Sequence, residues 1–260
     1  MIDTHTHLDG EEFAEDLGEV IGRAKAAGVE KVFIPAIDYK SCLSTLAVCR
    51  QCEGYAYPML GLHPEEVRAD YKEELDRIHG LIQSELEHRT PVLAIGEVGL
   101  DYYWSREYEE EQLDAFRIQV EWSIELGLPL MIHCRKGQNE MVNLLRQYEG
   151  QLRGGVFHCF TGNEKEAEQL LRFDNFVLGI GGVLTFKKSN LPAVLAAAVP
   201  LDRIVLETDS PYMAPVPMRG KRNESAFVRH VLVKLSEIYG ESESRIDSIT
   251  TQNVLRIVNI

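Results

Sequence analysis

Cysteine, positive charge and long apolar runs are all scarce in this sequence, and each shortage narrows what the chain can be. Five cysteines (Cys42, Cys49, Cys52, Cys134 and Cys159) in 260 residues are an odd number, set in helix-like or strand-like segments. That usage speaks against a disulfide scaffold and suits reduced thiols in a cytosol. Cys49-x-x-Cys52 has no second pair beside it. It reads as two packing residues near a helix end, the alternative being half of a zinc or redox site. No stretch approaches the roughly 20 apolar residues that cross a bilayer, so no membrane span is expected. The opening Met1-Ile2-Asp3-Thr4-His5 carries neither a basic leader nor an apolar signal core, and the expected location is cytoplasmic.

The 27 Lys and Arg residues are outnumbered by 41 Asp and Glu, for a formal charge of −14. Affinity for a polyanion comes largely from neutralised phosphates, so a broad nucleic-acid-binding face is excluded. Any such contact has to be local, at a pocket or a chain end.

What is present is alternation. Apolar, β-branched runs predict eight strands: 1–5, 31–36, 55–62, 92–98, 128–133, 155–159, 175–180 and 203–207. Amphipathic segments predict helices over 13–27, 40–52, 71–88, 107–126, 139–148, 164–172 and 191–198, with two more at 224–239 and 243–258. Gly28 and Gly127 are expected as helix C-terminal caps. Strand and helix units in this number predict an α/β fold, a (β/α)8 TIM-like barrel in a single domain over 1–260, with an open doubly wound sheet as the alternative. Metal-competent side chains recur where the apolar runs end, and strand C-termini form the active face of such barrels.

The first strand ends Asp3-Thr4-His5-Thr6-His7-Leu8-Asp9, and strand residues i and i+2 share a face, so His5 and His7 can share a metal. The fourth strand places Glu97 in the apolar, glycine-flanked run Ile95-Gly96-Glu97-Val98-Gly99. A carboxylate buried there needs a cation, a metal or a buried basic residue, and its own strand supplies no basic residue. The fifth and sixth strands end in His133-Cys134 and His158-Cys159, and the eighth runs through Glu207 to Asp209-Ser210-Pro211. Four imidazoles and two carboxylates suffice for two divalent ions with positions left for water, which reads as a catalytic site. Glu207, two residues before Asp209, is read either as a supporting partner or as a solvent-facing residue.

The motifs D-T-H-T-H-L-D, G-L-H-P, G-E-V-G-L-D-Y, P-L-M-I-H-C-R, F-H-C-F-T-G, E-T-D-S-P and R-G-K-R-N-E occur in one order between residue 3 and about residue 224. In that order they resemble the TatD family of metal-dependent hydrolases, within the amidohydrolase-like metal barrels. The resemblance implies hydrolysis of DNA, often from an end, with two divalent metal ions (zinc, magnesium or manganese). It implies His5, His7, Glu97 and Asp209 around the first ion and Glu97, His133 and His158 around the second. Glu97 and Asp209 then carry the catalytic chemistry, Asp209 as a base or an orienter of water. Some members lack the first-strand histidines; this chain has both. After Gly61-Leu62-His63-Pro64 the family often continues with another His, where this chain has Glu65 and Glu66.

The substrate is expected to be DNA, as single strands or chain ends, or aminoacyl-tRNA, since relatives of this kind include deacylases; a D-aminoacyl-tRNA deacylase or other ester hydrolase is the alternative activity. No obligate protein partner is evident. Arg219, Arg222 and Asn223 lie on the loop after the eighth strand, where barrels often bind phosphate, and form a candidate phosphate clamp or a solvated loop held by ion pairs. His63 joins them as a candidate substrate contact at the rim. Tyr102, Tyr103 and Trp104 either stack on an unpaired base or form a packed lid.

Overall fold

The computed structural model describes residues 1–258 and 260. Eight strands, β1 (Ile2–Asp3), β2 (Lys31–Pro35), β3 (Ala56–Leu60), β4 (Ala94–Asp101), β5 (Leu130–Arg135), β6 (Gly155–Phe157), β7 (Phe176–Ile180) and β8 (Ile204–Leu206), pair in sequence order, every pair parallel. Between them and after them run α1 (Leu17–Ala26), α2 (Tyr39–Gln51), α3 (Tyr71–Glu87), α4 (Glu109–Leu126), α5 (Gln138–Arg146), α6 (Glu164–Leu170), α7 (Leu191–Ala198), α8 (Val228–Tyr239) and α9 (Glu243–Ile257). The barrel closes between the first and last strands through Thr4 N donating to the Leu206 carbonyl at 3.0 Å and a parallel bridge between Thr6 and Ser210. The open doubly wound sheet is thereby excluded.

Alternation along the strands makes two apolar cores. Phe33, Met59, Met131, Val156, Val177 and Val205 fill the barrel, plugged at one end by Val254, Ile257 and Val258 around the end of α9. Val32, Ile34, Leu60, Ile132, Phe157, Leu178, Ile204 and Leu206 pack outward under the helices.

Several strands are shorter than the apolar runs predict: β1 stops at Asp3, β6 at Phe157 and β8 at Leu206. Cys159 and Asp209 take left-handed backbone, φ 49° and 57°, which ends a ladder and turns the chain over the mouth. β4 instead runs three residues past its expected end, to Asp101. The first helix begins at Leu17, because Glu11–Phe13 forms a separate 3-10 turn, and the helix expected from 224 begins at Val228 after a turn over Ser225–Phe227. Gly127 caps α4 at φ 65°, whereas α1 is capped by Ala27 and Gly28 comes one residue later. Among the described residues no helix is long and apolar enough to cross a membrane.

Candidate metal centre

Glu97 is 3% exposed and sits where β4 shifts register against β5, between Ile95 and Val98. An irregularity of this kind re-aims a side chain, and here it turns a carboxylate out of an apolar strand into a ring of imidazoles. Close by, Gly99 has φ +142°, and a Cβ there would lie 1.9 Å from the His133 carbonyl oxygen. Only glycine lets β4 approach β5 this closely beside His133.

The two oxygens of Glu97 face different partners. Oε2 lies 3.1 Å from His5 Nε2 and 3.8 Å from His7 Nε2. Oε1 lies 3.0 Å from His133 Nδ1, 3.3 Å from His158 Nε2 and 3.4 Å from His63 Nε2. Asp209 Oδ1 joins the first side, 3.8 Å from His5 Nε2 and 3.6 Å from His7 Nε2. The structure thus brings His5, His7, Glu97, His133, His158 and Asp209 into one cluster and draws in His63, which the sequence places at the rim.

Burial alone would push Glu97 toward its neutral form, but His5, His158 and His63 outweigh it and hold the carboxyl well below its usual range. Asp209 is likewise held down, burial being overcome by His7, His158 and His5. Burial works against the charged form of His133 and His158, yet Asp101 and Glu97 push His133 up to about 9, and Glu207 and Glu97 push His158 up to about 10. His5 and His63 are depressed, by burial and by the neighbouring rings His158 and His133 respectively.

His5 is fully buried, and neither ring nitrogen is aligned for a hydrogen bond. Burying an imidazole whose nearest partner, Glu97 Oε2 at 3.1 Å from Nε2, is out of hydrogen-bond alignment is costly, and a cation between the two groups removes the deficit. Three sets of donors, His5 with His7 and Glu97, His5 with His158 and Asp209, and His63 with Glu97 and His133, each gather within 4.8 Å. A nitrogen- and oxygen-rich set of this kind fits divalent metal ions.

Outer carboxylates fix the rings. Asp101 Oδ2 lies 2.8 Å from His133 Nε2, leaving Nδ1 toward Glu97. Glu207 is fully buried; its Oε1 lies 3.3 Å from His158 Nδ1 and accepts from Cys159 N at 2.7 Å. Its room comes from Gly179, where a Cβ would stand 2.1 Å from Glu207 Oε2. Asp3 accepts from Thr208 N and Oγ1 at 2.9 and 2.7 Å, tying the His5 segment to the Asp209 segment. Carboxylates that orient a metal-binding imidazole typically matter by 10- to 100-fold. Asp101→Asn is therefore expected to weaken metal affinity by about that factor with the fold intact. A metal titration of the purified variant checks it, and unchanged affinity would remove Asp101 from this role.

The family model of TatD-related DNases matches residues 2–259. The chain belongs to the TatD-related DNase family. The metal-dependent hydrolase YabD of Bacillus subtilis is 35% identical over 260 residues, covering 100% of this chain and 99% of that protein. The 3'-5' ssDNA/RNA exonuclease TatD of Pectobacterium parmentieri is 30% identical over 265 aligned positions, with 100% of each protein covered. The crystal structure of the TatD homologue YjjV from Escherichia coli superposes with a TM-score of 0.90 at 29% identity, covering 100% of this chain and 98% of that one. As a member of the TatD family, the chain is a metal-dependent hydrolase.

Three of the expected substrate contacts of this TatD family chain are placed elsewhere. Tyr102 is 5% exposed and packs into the core between barrel and helices, so its ring has no free face for a base. Asn223 is fully buried and donates through Nδ2 to the carbonyls of Thr208 and Tyr212, which makes it a brace for the loop that carries Asp209. Arg222 is engaged by Asp16 through two hydrogen bonds at 2.9 and 2.7 Å and by the Glu12 carbonyl, locking that loop to the α1 side. Arg219 is exposed, its guanidinium 4.0 Å over the Phe186 ring, and Tyr103 is 49% exposed. The sequence signal that could have flagged Asp101 is its i+4 spacing from Glu97 in a strand that keeps side chains two apart on one face.

Proposed function

We propose that the chain hydrolyses phosphodiester bonds in nucleic acid, working from a single-stranded end, and that its donor cluster would hold two divalent cations, with Glu97 serving both. The observation that carries this reading is the two-sidedness of Glu97, one oxygen facing His5 and His7, the other His63, His133 and His158. His5, His7, Glu97 and Asp209 would hold one ion, and Glu97, His133 and His158 the other, with His63 within reach of the second. The imidazole-rich set favours zinc or manganese over magnesium. Paired divalent ions supply a water-derived nucleophile near neutral pH and stabilise charge on the attacked group.

The protein's own residues do the rest. Asp209 is ionised and 16% exposed in its side chain, so it can take or orient the proton of an incoming water. Asp101 and Glu207 keep the two rings aimed at Glu97. Of the two loop arginines, Arg219 is exposed and not engaged by Asp16, which makes it a candidate for a phosphate oxygen. The exonuclease named among the relatives favours phosphodiesters over the aminoacyl ester of tRNA. A reducing cytoplasm suits the five free cysteines.

The test is nucleotide release from end-labelled single-stranded DNA by the purified protein, with and without a chelator, beside an aminoacyl-tRNA assay. Chelator-sensitive release is the expected result. Intact DNA with rapid ester loss would overturn it.

A further inference from the structure

Tyr103 and Trp104 are large aromatics left in solvent, 49% and 71% exposed, on the loop that leaves β4 just after Asp101. Their rings meet edge to face, 4.8 Å apart at 85°. The guanidinium of Arg135, two residues after His133 on β5, lies 3.5 Å from the Tyr103 ring centre and 5.4 Å from that of Trp104. The assembly is fastened from beneath. Buried Tyr102 donates its backbone N–H to the Arg135 carbonyl at 2.9 Å, and Tyr103 N donates to Asp101 Oδ1 at 2.9 Å. The other oxygen of the same Asp101 carboxylate holds His133 Nε2 at 2.8 Å. One carboxylate therefore fixes both a ring facing Glu97 and the backbone of the aromatic pair.

We propose that Trp104, Tyr103 and Arg135 form a stacking platform that takes the unpaired base next to the scissile phosphate, so that the chain selects unstacked, single-stranded ends. The proposal rests on the phosphodiesterase reading above. Three features point to a base as the occupant: flat exposed π-faces, a cation beside them to meet the adjoining phosphate, and continuity with the metal cluster through Asp101. A paired base inside a duplex offers no free face to such a platform. On a chain of charge −14, non-electrostatic stacking is also the form of affinity that the protein's overall field opposes least.

The test compares a single strand with the same strand made abasic at its end, and wild type with Trp104→Ala and Trp104→Phe. Trp104→Ala is expected to raise KM on the base-bearing strand by roughly 5- to 150-fold, the range that stacking one base supplies, and to keep that effect at high salt. Rates on the abasic strand should not move, and Trp104→Phe should recover most of the loss. A readout independent of turnover is intrinsic fluorescence. Of the two tryptophans, Trp122 is 7% exposed, so quenching by added oligonucleotide reports Trp104 and should vanish in Trp104→Ala and with the abasic strand. Wild type cleaving both strands while Trp104→Ala leaves KM and quenching unchanged would overturn the platform and leave the phosphodiesterase reading standing. Wild type cleaving neither strand would overturn both.

Discussion

Glu97→Ala is expected to abolish hydrolysis and to strip the protein of metal together. Glu97 turns one oxygen to His5 and the other to His133, so its loss removes a donor from each half of the cluster at once. Metal stabilisation of a transition state is worth several kcal/mol, so kcat/KM should fall by on the order of 10^3-fold or more. The change also removes a carboxylate shared by His5, His7, His63, His133 and His158, leaving Asp209, Asp101 and Glu207 to face His7, His133 and His158, so burial disfavours any proton on the rings more strongly. Steady-state kinetics beside elemental analysis of the variant checks both effects. A variant that kept its metal and its rate would show that Glu97 does not serve both ions.

Metal uptake near neutral pH is expected to release at least two protons per chain, because imidazoles bind metal only in their neutral form and His133 and His158 are both held protonated there. In the metal-free protein His133 and His158 hold protons up to about pH 9 and 10, above their ordinary 6.5. Their ion pairing therefore stabilises the metal-free fold fully below about 6.5, and that contribution is lost as pH rises through 9 and 10. Metal competes with the same protons, so its affinity should climb over this window while the stability of the metal-free chain declines. The thermal shift on adding metal should accordingly grow from about pH 6 to about pH 9, reaching on the order of 5 °C or more when metal exceeds its Kd about 100-fold. Calorimetry in buffers of different ionisation enthalpy counts the protons. A shift independent of pH would contradict the protonation of these two rings.

The acidic surplus of the chain bears on both results. With a charge of −14, the chain as a whole offers a polyanion no electrostatic attraction, so the proposed substrate would have to be held by the cations and by local contacts at the mouth rather than by a broad basic face. Arg222 stands close to Arg219 in sequence but is spent on Asp16, a division of labour that charge counting along the loop does not reveal.

By itself the sequence determined the alternating strand and helix units and put His5, His7, Glu97, His133, His158 and Asp209 at or near the ends of buried runs, because both are local, periodic properties. Apolar runs alternating with amphipathic segments fix strands and helices, and a polar side chain at the end of each buried run has only the barrel mouth to face. Tertiary structure alone decided which donors share an oxygen of Glu97, since that depends on the register shift in β4 and on the left-handed turns at Cys159 and Asp209. It also moved His63 inward from the rim, buried Tyr102 and Asn223, and committed Arg222 to α1. In each case the deciding partner lies far along the chain: Glu97 for His63, Arg135 for Tyr102, Thr208 for Asn223 and Asp16 for Arg222. Residue type and local spacing specify what a side chain can do, whereas contacts between distant segments specify which of those capacities stays free for a ligand.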